Sequence, residues 1–189
     1  MTRPILFSTI ALLALGACDD DDTGGGGAAD VLRIQPIASV VAGTDANPEV
    51  VRFLPGTSDK AIFVASKINS LGVISYDDNG LSIESLTSVP ASQYDAGNTH
   101  SYLTSIAVAP DGSFVAVARV DTRCPTPANA SAALEPGSIL FVNPAPPHAI
   151  ISEVQVGYAP DSLHISADGN WAVVANEADP ERSLDDSNL

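Results

Sequence analysis

Three stretches of the chain place apolar side chains two residues apart: Val51-Arg52-Phe53, Ile106-Ala107-Val108 and Leu163-His164-Ile165. That period belongs to a strand with one face buried. Each triplet runs into a turn, which reads PGTSDK, PDG and ADG in the three copies. Asp-Gly supplies the positive φ that a tight hairpin wants, and the first copy manages with a longer version. A second apolar run follows: AIFVAS from Ala61, FVAVAR from Phe114 and WAVVAN from Trp171. Its unbroken hydrophobicity predicts burial on both faces of a sheet. A third strand is expected at GVISYDD from Gly72 and SILFVNP from Ser138, and a fourth at LSIESLTSV and AIISEVQVG. Phe53, Val108 and Ile165 stand 55 and 57 residues apart, while Gly72 and Ser138 stand 66 apart because the middle unit carries an extra loop. Outside the first 17 residues no window keeps the spacing of three and four that a helix needs.

Four short antiparallel strands per unit, repeated with Asp-Gly hairpins, predict an all-β chain built from β-propeller blades; a repeat sandwich is the competing array. The third copy carries a closer likeness. GYAPDSLHISADGNWAVVANEADP, from Gly157 to Pro180, resembles the blade motif of the YVTN/lactonase-like propellers, and more specifically that of the choice-of-anchor I proteins. In that motif a glycine and a Pro-Asp precede the inner strand, an Asp-Gly hairpin follows, and the second strand ends in Val-Ala-Asn-Glu before an acidic residue and a proline. Gly157, Pro160, Asp161, Asp168, Gly169, Val174, Ala175, Asn176, Glu177 and Pro180 stand at those places. The resemblance covers roughly residues 45 to 180. It implies a fold and no particular chemistry, because propellers host hydrolases, oxidoreductases and scaffolds alike. A propeller closes with about four to eight blades, whereas this chain offers about three. The expectation is a partial β-propeller, a fragment of a larger one; were the chain complete, it would have to close by self-association.

The chain opens with Arg3 and an apolar stretch from Ile5 to Ala17, too short to span a bilayer and suited to a secretory signal. It ends in Leu15-Gly16-Ala17-Cys18, which resembles a bacterial lipobox. In such signals the cysteine is lipidated and becomes the first mature residue, so residues 1–17 read as a signal peptide and Cys18 as a membrane anchor at the cell envelope. Asp19 to Asp22 and Gly24 to Gly27 follow, and repulsion plus glycine freedom make residues 18–30 a tether. Asp19, Asp21, Thr23, Gly24 and Asp30 also fall at EF-hand positions 1, 3, 5, 6 and 12, but position 12 lacks its Glu and no helix pattern flanks the loop. A strand is expected directly after the tether, opening the propeller domain over 31–189.

Composition sharpens the list of partners. The 189 residues carry 8 Lys and Arg against 23 Asp and Glu, a formal net charge of −15. The basic residues are scattered, and phosphate backbones need them clustered, so no nucleic acid is expected as a partner. Cys124 has no second cysteine to pair with once Cys18 is lipidated, and no His or Cys near it suggests zinc.

Candidate chemistry is sparse. Aligning the copies makes Arg52, Ala107 and His164 equivalent, and in a propeller the innermost strand lines the channel, which makes Arg52 and His164 channel-facing candidates. His164 has the chemistry of a base or metal ligand, although a lone strand histidine is more often a solvent-facing residue. His100 and His148 fall in expected loops. Asn176 and Glu177 end the second strand of the third copy, and the resemblance implies calcium there, since some lactonase-like propellers hold calcium with such oxygens. The other copies offer Ser66-Lys67 and Arg119-Val120 at that place. No nucleophile elbow, H-E-x-x-H, Walker loop or G-x-G-x-x-G is present, so no catalytic residue is assigned. Two functions remain open: a lipid-anchored binding or scaffold module for a protein or small molecule, and a calcium-dependent lactonase- or phosphoesterase-like hydrolase.

Overall fold

A computed structural model describes residues 7–17, 32–44, 46–90, 99–123 and 133–177. The first sheet has two strands, β1 (Phe7–Ala17) and β2 (Leu32–Thr44). The next contains β3 (Pro48–Phe53), β4 (Lys60–Ala65), β5 (Ser70–Asp77) and β6 (Gly80–Ser88), paired antiparallel in chain order. A third repeats that order with β7 (Thr99–Val108), β8 (Val115–Arg123), β9 (Ala133–Val142) and β10 (Ile150–Tyr158). β11 (Pro160–Ile165) and β12 (Ala172–Asn176) pair as the first half of another such unit. These are the strands the sequence pattern predicts, two four-stranded blades and the inner hairpin of a third. Among the described residues the only helical turn is Ser66–Ile68.

Alternate residues of each central strand serve different neighbours. In β4, Ile62 and Val64 face blade 2, where they share a core with Leu103, Ile106, Val115, Val117, Leu140 and Val142. Ala61, Phe63 and Ala65 turn the other way, onto Ala42 and Ala46. Blade 2 repeats the arrangement, with Ala107, Ala116, Ala118 and Ile139 packed against Leu163 and Ile165 of the third unit. Burial on both faces explains why the second strands read as unbroken apolar runs. Glycine at 72 serves the same packing: a Cβ there would lie 2.2 Å from two carbons of the buried Phe63 ring.

The turns behave as their residues demand. Gly112 and Gly169 both take φ of +73°, and Gly56 follows Pro55 at +78°. Gly112 N–H donates to Ala109 O at 2.8 Å and Gly169 N–H to Ser166 O at 2.9 Å, closing equivalent loops in successive units. The turns also touch: Pro55 lies against Gly112 and Pro110 against Gly169.

The leader stretch, for which the sequence pattern predicts no element, is extended: residues 7–17 form β1 and pair with β2. Ser8 and Thr9 are the polar side chains of residues 7–17 and form no polar face to favour the helical period, and the open edge of β2 offers this stretch backbone hydrogen-bond partners. Cys18, the tether at 18–30 and Cys124 lie outside the described residues.

The Asp-Gly turns carry a pH signature. Asp168 accepts from Ser166 Oγ at 2.5 Å, from the Asn170 backbone at 3.1 Å and from Asn170 Nδ2 at 3.0 Å. These bonds favour the charged carboxylate, with the Ser166 hydroxyl foremost, and lower its pKa from 3.8 to about 2. A depressed carboxylate contributes stability that is complete above its unfolded pKa and lost as pH falls through the folded one. Asp168→Asn should therefore lose less melting temperature than the parent between pH 3.8 and about 2, which calorimetry at stepped pH reads directly.

Candidate functional site

The strand registers make Ala65, Arg119 and Asn176 equivalent, opposite Pro48, Leu103 and Pro160, so the Ser66 of the sequence alignment falls one residue later. The side chains at and beside this place do different things. Ser66 is buried and hydrogen-bonds Glu49 Oε1 at 2.8 Å, while Asn47 Nδ2 donates to Ser66 Oγ at 2.9 Å. Asn176 is exposed; it lies over Gly157, where a Cβ would come within 2.8 Å of its Nδ2.

Arg119 is the centre of the most developed polar cluster. Its side chain is fully buried and should, on charge alone, be among the last to leave water. Partners from every strand of blade 2 hold it there. Nη2 donates to Ser138 Oγ at 3.0 Å on β9 and forms an ion pair with Glu153 on β10. Ser138 Oγ donates to the same Glu153 carboxylate at 2.7 Å. Nε lies 3.5 Å from Asp121 Oδ1, an ion-pair contact, and Ser101 Oγ of β7 donates to that carboxylate at 2.7 Å. Nη1 reaches Pro90 O at 3.2 Å, in the connection arriving from blade 1. The result is a polar rung across four strands that also grips the incoming chain. Nothing in the sequence pattern singles it out, since Arg119 reads as one scattered cation and Glu153 as one alternating polar position.

The residues singled out by sequence are not brought together. Arg52 pairs with Ile62 and His164 with Val173, so both stand on the blade face that looks toward the following unit. The equivalent Ala107 is buried on that face, whereas Arg52 and His164 are exposed. Arg52 Nη1 donates to Val51 O at 2.9 Å. Glu177 is exposed next to Asn176, and its N–H donates to Ala159 O at 2.9 Å. Among the described residues no three His, Cys, Asp or Glu side chains gather as a metal site. His100 falls within β7, not in a loop. His148 does sit in a loop; its Nδ1 is 3.1 Å from Asn143 O, and burial pushes its imidazole down, toward the neutral form.

Comparisons with known proteins agree with this architecture. The family model of the Choice-of-anchor I domain matches residues 53–188. A solved protein from Lactobacillus plantarum superposes with a TM-score of 0.57 at 12% identity, over 80% of this chain and 40% of its own. A candidate 6-phosphogluconolactonase from Bacteroides fragilis gives 0.51 at 15% identity, over 73% and 34%. Another from Bacteroides uniformis gives 0.55 at 17%, over 88% and 41%. At such identities the likeness is one of fold, and this chain spans less than half the length of each. No curated protein matches.

The cluster makes a stability prediction. Arg119→Met would leave Glu153, whose side chain is 3% exposed, without its cation, and breaking a buried pair from one side costs about 4 kcal/mol. Adding Glu153→Met should recover part of that loss, as read from urea unfolding midpoints of the two variants.

Proposed function

The chain belongs to the choice-of-anchor I family, and we propose that it is a lipid-anchored, exported propeller serving as a binding or scaffold module at the bacterial cell envelope. Choice-of-anchor domains are typical of bacterial surface proteins, and Leu15-Gly16-Ala17-Cys18 supplies the means of attachment. Two or three acyl chains on Cys18 would hold the protein stably, each buried methylene contributing about 0.8 kcal/mol. The observation that carries the binding role is the rung around Arg119: its charges answer one another inside the fold and present no reactive group to solvent. Charges committed in this way join the strands of blade 2 and hold Pro90 of the incoming connection.

The hydrolase reading draws on the names of two structural neighbours and on Asn176 and Glu177, which stand exposed side by side. It requires calcium bound to the folded state, and such a ligand raises the melting temperature.

Two measurements separate these readings. Wild-type protein should partition with membranes and Cys18→Ser should not; equal partitioning by both would sink the anchor. Millimolar calcium should leave the melting temperature unchanged, whereas a shift of several degrees that Asn176→Ala abolishes would favour the hydrolase.

A further inference from the structure

The two junctions between units are built alike. Apolar side chains on the rear of an inner strand enter the forward face of the unit before it. At the first junction Ile106, with Val108 packed beside it, meets Ile62 and Val64. At the second, Leu163 and Ile165 meet Ala107, Ala116 and Ala118, with Phe114 at the side. Each end of the described stack carries one unmatched half of such a junction. On the forward face of the third unit, His164 and Val173 pair as Ala107 and Ala116 do, and Trp171 stands at the place of Phe114. Val173 is 69% exposed and Trp171 73%. On the rear of blade 1, Val51 and Phe53 pair with Phe63 and Ala61 and share their face. They are the equivalents of Leu163 and Ile165, which are 3% and 7% exposed, yet they stand 41% and 66% exposed.

The halves also match in extent. β2 covers the outer part of the rear face of blade 1, where Ala42 and Ala46 pack on Phe63 and Ile74, with Leu81 and Ile83 around them. The inner strand β3 is left bare. Such a strand seats on the inner hairpin of the unit before it, as β11 does on β7 and β8. An inner hairpin is what the third unit offers among the described residues. We propose that a second copy of this chain fills both halves: the forward face of the third unit receives Val51 and Phe53 of a partner copy, and the partner's third unit returns the contact. Two copies then close a ring of four full blades and two composite units, each of these made from one copy's hairpin beside the other copy's β2. Six units fall within the range of about four to eight in which propellers close, and a third copy would exceed it. The contact is head to tail, and closure after two copies ends the open growth that such contacts otherwise allow.

Cross-linking in cells tests this on the full chain. In a Cys124→Ser background, Val173→Cys goes into one copy and Phe53→Cys into a second copy with a different tag. Both positions are exposed and both replacements are smaller, so neither burdens the fold. Stacked sheets lie about 10 Å apart, within reach of a short bismaleimide. Coexpressed copies should give a linked pair carrying both tags, and either copy expressed alone should give none. Absence of the mixed pair, or equal pairs from either copy alone, overturns the proposal. One chain carrying both cysteines should give a linked dimer as its largest product; a ladder of longer products overturns the closed ring. A charge pair reads the same contact without a cross-linker. In sedimentation Val173→Lys should weaken the dimer about tenfold or more, because an unpaired charge is costly to bury. Phe53→Glu added to the same chain should restore most of it, and a loss that is not restored overturns the contact.

Discussion

A sheet whose central strands are apolar on both sides needs a cover on both sides, and this requirement organises the molecule. β4 shows it most simply: Ile62 and Val64 look one way, Ala61, Phe63 and Ala65 the other, and all five are buried. Blade 2 covers the first face and β2 the second. Stacking repeated sheets is the economical solution, because one blade's forward face becomes the floor on which the next is laid. Small side chains set the spacing where layers come closest. Ala107, Ala116 and Ala118 admit Leu163 and Ile165, and Gly137 leaves room for the ring of Pro160, whose Cδ would lie 2.5 Å from a Cβ placed there.

Layering leaves few places for charge. Turns and outer strands can be solvated, and there the ion pair Lys60–Glu84 at 2.9 Å is of the exposed kind that contributes little. Within a layer, a charge has to bring its partners with it. Arg119 does so by pairing with Asp121 on its own strand, Ser138 on β9, Glu153 on β10 and the Pro90 carbonyl of the preceding connection, while Ser101 of β7 supports Asp121. Such a network rigidifies when it is satisfied and is costly when one member is lost. Its position at the end where blade 1 hands over to blade 2 makes it a clamp on the geometry of that junction. Thr104 acts similarly one junction later, donating to Pro160 O at 2.5 Å from a buried site.

The parts of the fold legible in the sequence were those governed by local rules. Periods of two, unbroken apolar runs and Asp-Gly turns depend on neighbours a few residues away, and β3 to β12 follow them. The Arg119 rung was opaque because its members lie 19 and 34 residues apart and each, taken alone, is an ordinary polar position. The unit alignment even displayed Arg119 as a mismatch to Asn176, when it was a different use of the same backbone site. The strand in the leader was not legible for another reason. An apolar stretch without periodicity is compatible with strand or helix, and only the partner decides.

The third unit carries the layering argument to its last step. Leu163, Ile165 and Val174 settle its rear face against blade 2. On its forward face Val173 stands 69% exposed beside His164, and Trp171 in the adjoining turn is 73% exposed. The equivalent positions one and two units earlier, Ala116 and Ile62, are fully buried. Covering a large apolar side chain is worth roughly 2 kcal/mol, so Trp171 and Val173 together give any layer laid on this face a substantial driving force. A bare face of this kind is also where unwanted association begins. The same physics that builds each blade on its predecessor therefore makes this face the least self-sufficient part of the described molecule, and the exposure of His164 follows from its place on that face.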